Sequence, residues 1–193
     1  MSNFKALRIQ NIAHGVLAHN IDNAPAIIDL ASPAQTMINN FTNKTPLRAH
    51  PDTRVEQALN LLSLQYADFI LVTNSSDTLI GIVSSADLQS SKIIIAAQRL
   101  GLPRTEVNLS HLMTPLTHLH GISLQSLNYA CIGDVLQTMQ QRGAMYLLVT
   151  AASGEICGLI SARGIAKTLQ IPLHIAPIAN GFSEVLASIE HPH

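Results

Sequence analysis

Apolar and polar positions follow the same order in two separate stretches of the chain. Residues 55–88 and residues 132–165 align without a gap at an offset of 77, the difference between 132 and 55. Identical residues recur along the alignment: Leu59 with Leu136, Ala67 with Ala144, Leu71-Val72-Thr73 with Leu148-Val149-Thr150, Ser76 with Ser153, Gly81 with Gly158, and Ser84 with Ser161. Internal repetition of this kind indicates two copies of one structural unit.

Each copy predicts the same series of secondary-structure elements. Apolar residues at helical spacing from Val55 and from Ile132 predict an amphipathic helix at the start of each copy. Ser84 and Ser161 are natural N-caps for a later helix. Two short apolar strands separated by a turn of small polar residues lie between these helices in each copy, namely Phe69–Thr73 and Leu79–Val83 in the first, and Tyr146–Thr150 and Ile156–Ile160 in the second.

A further strand is expected ahead of each first helix, near Leu47–His50 and near His118–Leu124, and residues 51–53 form a turn that can cap the first helix. This order of elements predicts an α/β (α+β) fold, in which each copy is a small mixed β-sheet with two packed helices. Neither copy is large enough for a good core alone, so we expect the two to pack about a pseudo-twofold axis. The predicted organisation is an N-terminal extension (1–30), a first repeat (31–101), a second repeat (102–170) and a C-terminal segment (171–193) with a short helix at residues 181–190.

Composition narrows the functional class. Apolar residues make up 47% of the chain, which argues against disorder, and apolar runs such as Ile93–Ala97 are far too short to cross a membrane. The first residues lack the apolar core of a signal peptide, so we expect a cytoplasmic protein. The net charge of −1, the scattered basic residues and the absence of Trp argue against nucleic-acid binding.

Candidate chemistry is sparse. Cys131 and Cys157 lie in apolar segments, which predicts buried, reduced thiols. His118-x-His120 on a strand would place both rings on one face, but no Cys or acidic partner lies at ligand spacing, so we expect no metal site. The chain has no nucleophile elbow, phosphate loop or dinucleotide fingerprint, so we do not expect an enzyme.

The segment from Lys92 to Gly101 predicts a helix that ends at a glycine cap. Its apolar stretch is wider than one core face requires. Either a homodimer surface or burial against the other repeat explains this width.

The first copy resembles the CBS motif, which it shows as Gly81-Ile-Val-Ser84-Ser-Ala-Asp87 after helix, strand and turn. Phe41-Thr42 and Met113-Thr114 resemble the Met-Thr lead-in of that family, and the segment from Ser32 to Ile38 resembles the short helix before a CBS repeat. The resemblance covers roughly residues 30–170. The chain is most similar to small stand-alone bacterial proteins with a pair of CBS repeats (a Bateman module) and no assigned function.

The resemblance implies a non-catalytic regulatory sensor that binds an adenosine-containing ligand in the cleft between the repeats. The implied ligand is AMP or ATP, with ADP or S-adenosylmethionine as alternatives, and no cofactor is required. The implied partners are a second copy in a homodimer and an unidentified protein, because the chain carries no enzyme or transporter of its own.

The resemblance also implies a set of site residues. The backbone of Lys44, Thr45, Pro46 and Leu47 would line the adenine, and Phe69 and Ile70 would wall the same pocket. Ser84 lies beside a helix N-terminus, where free N–H groups and the helix dipole favour a phosphate that Lys44 could also meet. The carboxylate of Asp87 could accept hydrogen bonds from the ribose hydroxyls.

Other interpretations stay open at this stage. Ser84 and Asp87 are equally an ordinary N-cap followed by an acidic first turn. In the second copy Ser161 remains, but Gly164 replaces the acid, and Arg163 either meets a phosphate or is a solvated helix residue. We therefore expect one competent site or none. A structural or protein-interaction module with a degenerate nucleotide site is the alternative function.

Overall fold

The computed structural model describes residues 6–8 and 28–172. The chain divides into two compact units: one contains residues 28–44 and 119–172, and the other is Thr45–His118. Most of the predicted N-terminal extension and nearly all of the predicted C-terminal segment, including the helix at residues 181–190, lie outside the described residues.

The unit Thr45–His118 is a four-stranded mixed sheet with three helices. Its strands lie in the order β2-β3-β4-β5; the β2–β3 pair is parallel and the other two pairs are antiparallel. Ile70, Val83 and Ile93 are buried in its core. The elements are β2 (Arg48–Ala49), α1 (Val55–Gln65), β3 (Phe69–Thr73), β4 (Leu79–Ser84), α2 (Ser85–Gln89), α3 (Lys92–Leu100) and β5 (Thr114–Pro115).

The other unit repeats this plan. Its strands lie in the order β1-β8-β7-β6; the β6–β7 pair is parallel and the other two pairs are antiparallel. A 3-10 helix at Ala34–Met37 occupies the place of the short helix expected before the first repeat. The elements are β1 (Asn39–Asn40), β6 (His120–Ser123), α4 (Leu124–Leu127), α5 (Ile132–Arg142), β7 (Tyr146–Thr150), β8 (Ile156–Ser161) and α6 (Ala162–Leu169).

The first helix of the first repeat, α1, follows its apolar spacing and begins after the predicted turn. Val55, Ala58 and Leu62 of α1 are buried, because their spacing places them on one face. The expected turn at residues 51–53 is present, but the N-cap is Arg54, whose backbone N–H donates to Gln57 Oε1 at 3.2 Å.

The short lead-in strands are exchanged between the repeats. β1 lies in the lead-in of the first repeat but pairs with β8 of the second, and β5 lies in the lead-in of the second repeat but pairs with β4 of the first. Each exchanged strand passes a glycine that has no room for a side chain. A Cβ on Gly81 would lie 2.8 Å from the carbonyl oxygen of Thr114, and a Cβ on Gly158 would lie 3.0 Å from that of Asn39.

This pairing corrects the position of the first lead-in. Met113-Thr114 lies against Gly81, as Ile38-Asn39 lies against Gly158. The counterpart of Met113-Thr114 is therefore Ile38-Asn39 and not Phe41-Thr42. Phe41 follows β1 and is buried.

The mixed α/β fold class with two repeated sheets is confirmed. β3 and β7 have the predicted bounds, and β4 and β8 each extend one residue further, to Ser84 and Ser161. The repeat boundary at residues 101 and 102 stays a prediction, and the compact units follow different bounds because of the exchanged strands. Among the residues that the structure describes, no helix is both long and apolar enough to span a bilayer.

Candidate functional site

Ser84 and Asp87 form a closed pair at the corner between β4 and α2. The Ser84 hydroxyl accepts a hydrogen bond from the Asp87 backbone N–H at 3.0 Å. In return, the Ser84 backbone N–H and hydroxyl donate to Asp87 Oδ2 at 3.1 and 2.5 Å. This is a capping box, in which two groups at a helix start satisfy each other. Ser84 is therefore the N-cap that the sequence predicts.

The second carboxylate oxygen of Asp87 faces a lysine. Lys92 Nζ donates to Asp87 Oδ1 at 2.5 Å. The Asp87 side chain is 16% exposed, whereas the Lys92 side chain is 59% exposed. Burial raises the pKa of Asp87, but hydrogen bonds from Lys92 and Ser84 outweigh burial, so the net pKa is lowered from its usual value of 3.8. Asp87 is therefore an ionised, half-buried carboxylate at neutral pH.

A break between two helices brings Lys92 to this carboxylate. Ser90 has an extended backbone, with φ −89° and ψ 172°, and stops α2 after five residues. Its hydroxyl donates to the Asp87 carbonyl at 2.8 Å and accepts from the Lys92 backbone N–H at 3.2 Å. The chain therefore turns so that the first residue of α3 lies beside the first turn of α2.

Two of the backbone donors expected to hold a phosphate are already engaged. The Ser85 N–H donates to the Asp68 carbonyl at 3.0 Å, and the Asp87 N–H donates to the Ser84 hydroxyl. A helix of five residues also has a small dipole, because the dipole grows with the number of aligned peptide units. These two N–H groups are therefore engaged within the protein, and the phosphate site at this corner stays a prediction.

The sheet brings some of the predicted site residues to one edge. Phe69 lies opposite Ser84 in the β3–β4 pair, and its side chain is half-buried. Pro46 lies two residues before β2, the strand that pairs with β3. Ser84 and Phe69 thus lie side by side at the ends of β4 and β3.

Other predicted residues lie elsewhere. Ile70 is 0% exposed and Leu47 is 8% exposed, so both side chains pack in the core and not on a pocket wall. The Leu47 carbonyl accepts from the Leu71 N–H at 2.9 Å and is part of the sheet. Thr45 and Lys44 are exposed, and Lys44 is the last residue of its unit before Thr45.

The matching corner of the second repeat has a cap but no acid. Ser161 is buried and accepts a hydrogen bond from the Gly164 N–H at 3.0 Å. Arg163 is exposed. This corner therefore lacks a carboxylate for a ribose, as the sequence comparison of the repeats predicts.

The histidine and cysteine predictions have mixed outcomes. His118 ends a 3-10 turn and only His120 lies on β6, so the pair does not share a strand face. No group of three or more His, Cys, Asp or Glu within residues 6–8 and 28–172 could hold a metal ion. Cys157 is buried and Cys131 is half-buried, both are free thiols, and burial raises the pKa of both.

Sequence reasoning did not find Lys92. It was assigned only to a helix, because its contact with Asp87 depends on the break at Ser90. The signal that could have found it is a lysine five residues after the acid of the motif, following two serines that interrupt the helical pattern.

Comparison with known proteins agrees with this fold. Residues 38–91 match the model of the CBS domain family. No curated protein matches the chain. An uncharacterized conserved protein from Pyrococcus horikoshii has the same fold, with 21% identity, a TM-score of 0.52, and coverage of 77% of this chain and 100% of that one.

Two other solved structures are also similar. CBSX2 from Arabidopsis thaliana has 21% identity over 72% of this chain and 95% of that one, with a TM-score of 0.46. A CBS domain protein of unknown function, TA0289 from Thermoplasma acidophilum, has 15% identity over 80% of this chain and 78% of that one, with a TM-score of 0.47. Residues 38–91, in the first repeat, thus match the CBS domain family, and the chain shares its fold with the uncharacterized protein from Pyrococcus horikoshii.

Proposed function

We propose that the chain is a non-catalytic regulatory module that binds an adenine nucleotide or a related adenosyl ligand. The observation that carries this proposal is the ionised, half-buried Asp87 carboxylate, which is hydrogen-bonded to Ser84 at the end of β4, where Ser84 pairs with Phe69 of β3. A carboxylate in this state is an acceptor for the paired hydroxyls of a ribose. A location in the cytoplasm, where such nucleotides are found, belongs to the same proposal.

The remaining site residues have distinct proposed roles. The half-buried ring of Phe69 stacks against the adenine, and the chain from Lys44 to Pro46 lines the base. Ile70 and Leu47 support this edge from the core. Ser161 and Arg163 mark a second corner that lacks an acid, so the proposal is one competent site in the first repeat.

Association with a second copy and with an unidentified protein partner completes the proposal. Ile94 and Ile95 of α3 are 49% and 59% exposed, although Ile93, Ala96 and Ala97 of the same helix are buried. The helix thus uses one face for the core of its unit and leaves a second apolar face for a homodimer contact.

The first experiment measures ligand binding by thermal shift and calorimetry, with AMP, ADP, ATP and S-adenosylmethionine as probes. A ligand that binds the native state raises the unfolding midpoint by mass action. Asp87→Asn keeps the shape of the side chain but removes its charge. Because hydrogen bonds to a charged group contribute about 1.5–3 kcal/mol, this variant should weaken binding roughly tenfold to a hundredfold.

Asp52→Asn is the matched control, since Asp52 is an exposed carboxylate of the same unit outside the motif. It should bind as the wild type does. Failure of every probe at millimolar concentration would overturn the nucleotide proposal. That result would favour a protein-interaction module, in which the capping box and Lys92 use the Asp87 carboxylate for structure alone.

A further inference from the structure

The pairing of Lys92 with Asp87 has a consequence for which ligands the site accepts. The ion pair joins a mobile, largely exposed cation to a fixed, mostly buried anion. Asp87 is held by three hydrogen bonds of the capping box, whereas Lys92 reaches it through a flexible four-carbon stem. Because the Lys92 side chain is largely exposed, water can replace its contact with Asp87, so Lys92 can change partner at little cost in free energy.

We propose that Lys92 changes partner when the ligand binds. Its ammonium moves from Asp87 Oδ1 to the phosphate, and the ribose hydroxyls then donate to Asp87 Oδ1. The site therefore selects nucleotides over nucleosides. This inference rests on the proposed function and adds a specificity-determining residue to it.

Charge at the corner supports a role for Lys92. Two N–H groups at the start of α2 donate within the protein, to Asp68 and to Ser84. A phosphate close to the Asp87 carboxylate would also meet repulsion between like charges. A cation would offset this repulsion, and Lys92 is the cation that the structure places against this carboxylate.

The second repeat supports the same inference by its differences. At the offset of 77 residues, Gly164 stands in the place of Asp87 and Leu169 stands in the place of Lys92. The second corner has kept the capping serine, Ser161, but has neither member of the ion pair. The acid and the lysine thus differ together between the copies, whereas the capping serine is kept, as expected if the charged pair serves a ligand in addition to its bonds with the cap.

The test compares AMP with adenosine by calorimetry, because the two differ only in the phosphate. The variants are Lys92→Met, which removes the cation, and Lys92→Arg, which keeps it. Arg99→Met is the control, since Arg99 is an exposed cation near the other end of α3. The wild type and both Lys92→Arg and Arg99→Met should prefer AMP by about tenfold, the scale of one charge-assisted hydrogen bond.

In Lys92→Met this preference should fall close to unity, with adenosine binding as tightly as before or more tightly. Equal weakening of both compounds would overturn the inference, because it would show a structural role for Lys92. An unchanged preference in Lys92→Met would overturn the inference and leave the proposed function standing. Binding of neither compound to the wild type would overturn this inference, and failure of ADP, ATP and S-adenosylmethionine as well would overturn the proposed function.

Discussion

The corners between strand and helix in the two repeats share a cap and differ in charge. Ser84 and Ser161 both accept a hydrogen bond at 3.0 Å from the backbone N–H three residues ahead. The first corner adds the Asp87 carboxylate and the Lys92 ammonium, whereas the second has Gly164 at the acid's position. The serine is therefore sufficient for the turn, and the charged pair is an addition that folding of the corner does not require.

The glycines that face the exchanged strands should contribute equally to the free energy of unfolding in the two repeats. Gly81→Ala and Gly158→Ala should each lower the free energy of unfolding by about 2 kcal/mol, because forcing a methyl group into a packed site costs about 1–3 kcal/mol. The new Cβ would meet Met113 Sδ at 2.7 Å in the first case and Ile38 Cγ2 at 2.6 Å in the second. Denaturant unfolding measures both losses.

A large loss in one variant and none in the other would break this equivalence. It would show that one exchanged strand adjusts its position and the other does not. Wild-type stability in both would contradict the close approach of the strands.

Asp87 should make the first corner, but not the second, sensitive to acid. Asp87→Asn should lower stability at neutral pH by about 1 kcal/mol, through weaker bonds to Ser84 and Lys92. Because the folded-state pKa of Asp87 lies below its usual 3.8, this contribution is present above 3.8 and is lost as the pH falls through the folded-state pKa. Unfolding midpoints of wild type and variant, measured across this range, should converge in acid.

Asp52→Asn again serves as the control for loss of one exposed carboxylate. A difference between wild type and Asp87→Asn that is already lost above pH 3.8 would contradict the lowered pKa.

The ends of the first helices give the smallest expected effect, with opposite signs in the two repeats. Tyr66 ends α1 with φ 49° and ψ 41°, and Gly143 ends α5 with φ 58° and ψ 26°. A left-handed backbone costs a residue with a side chain about 1–2 kcal/mol, and glycine avoids this cost. Part of that advantage is lost, because glycine has a larger conformational entropy in the unfolded state. Tyr66→Gly should thus stabilise the chain by about 0.5 kcal/mol, and Gly143→Ala should destabilise it by about 1 kcal/mol.

Tyr66→Ala separates the backbone effect from loss of the ring, which is 94% exposed. It should leave stability nearly unchanged. A large loss in Tyr66→Ala would show that the ring makes a contact of its own, and thermal unfolding of the four proteins distinguishes these results.

Local patterns predicted the elements well. β3 and β7 have the predicted bounds because short apolar runs end at polar turns. Ser84 and Ser161 are caps because a serine hydroxyl just before a helix can accept a hydrogen bond from a backbone N–H of the first turn.

Features that depend on distant contacts were not predictable in the same way. Asn39 and Asn40 form β1 only because they pair with Leu159 and Gly158, and no local pattern marks two asparagines as a strand. The sequence places Ile70 with Phe69 on a pocket wall, yet Ile70 is 0% exposed and packs in the core, because successive side chains of a strand point to opposite faces. The Lys92 contact required the backbone angles at Ser90.

The exchange of the lead-in strands also fixes an order of events during synthesis. Thr45–His118 is continuous in the chain and can complete its sheet as soon as β5 leaves the ribosome. β1 is made earlier, yet its partner lies 120 positions later, as the bond from Asn39 to Leu159 shows. Because domains fold as they emerge from the ribosome, β1 stays unpaired while Thr45–His118 folds. The other sheet can close only after β8 has been synthesised. For the same reason, a gene cut between residues 101 and 102 would separate β5 from β4 and β1 from β8, leaving each half with an incomplete sheet.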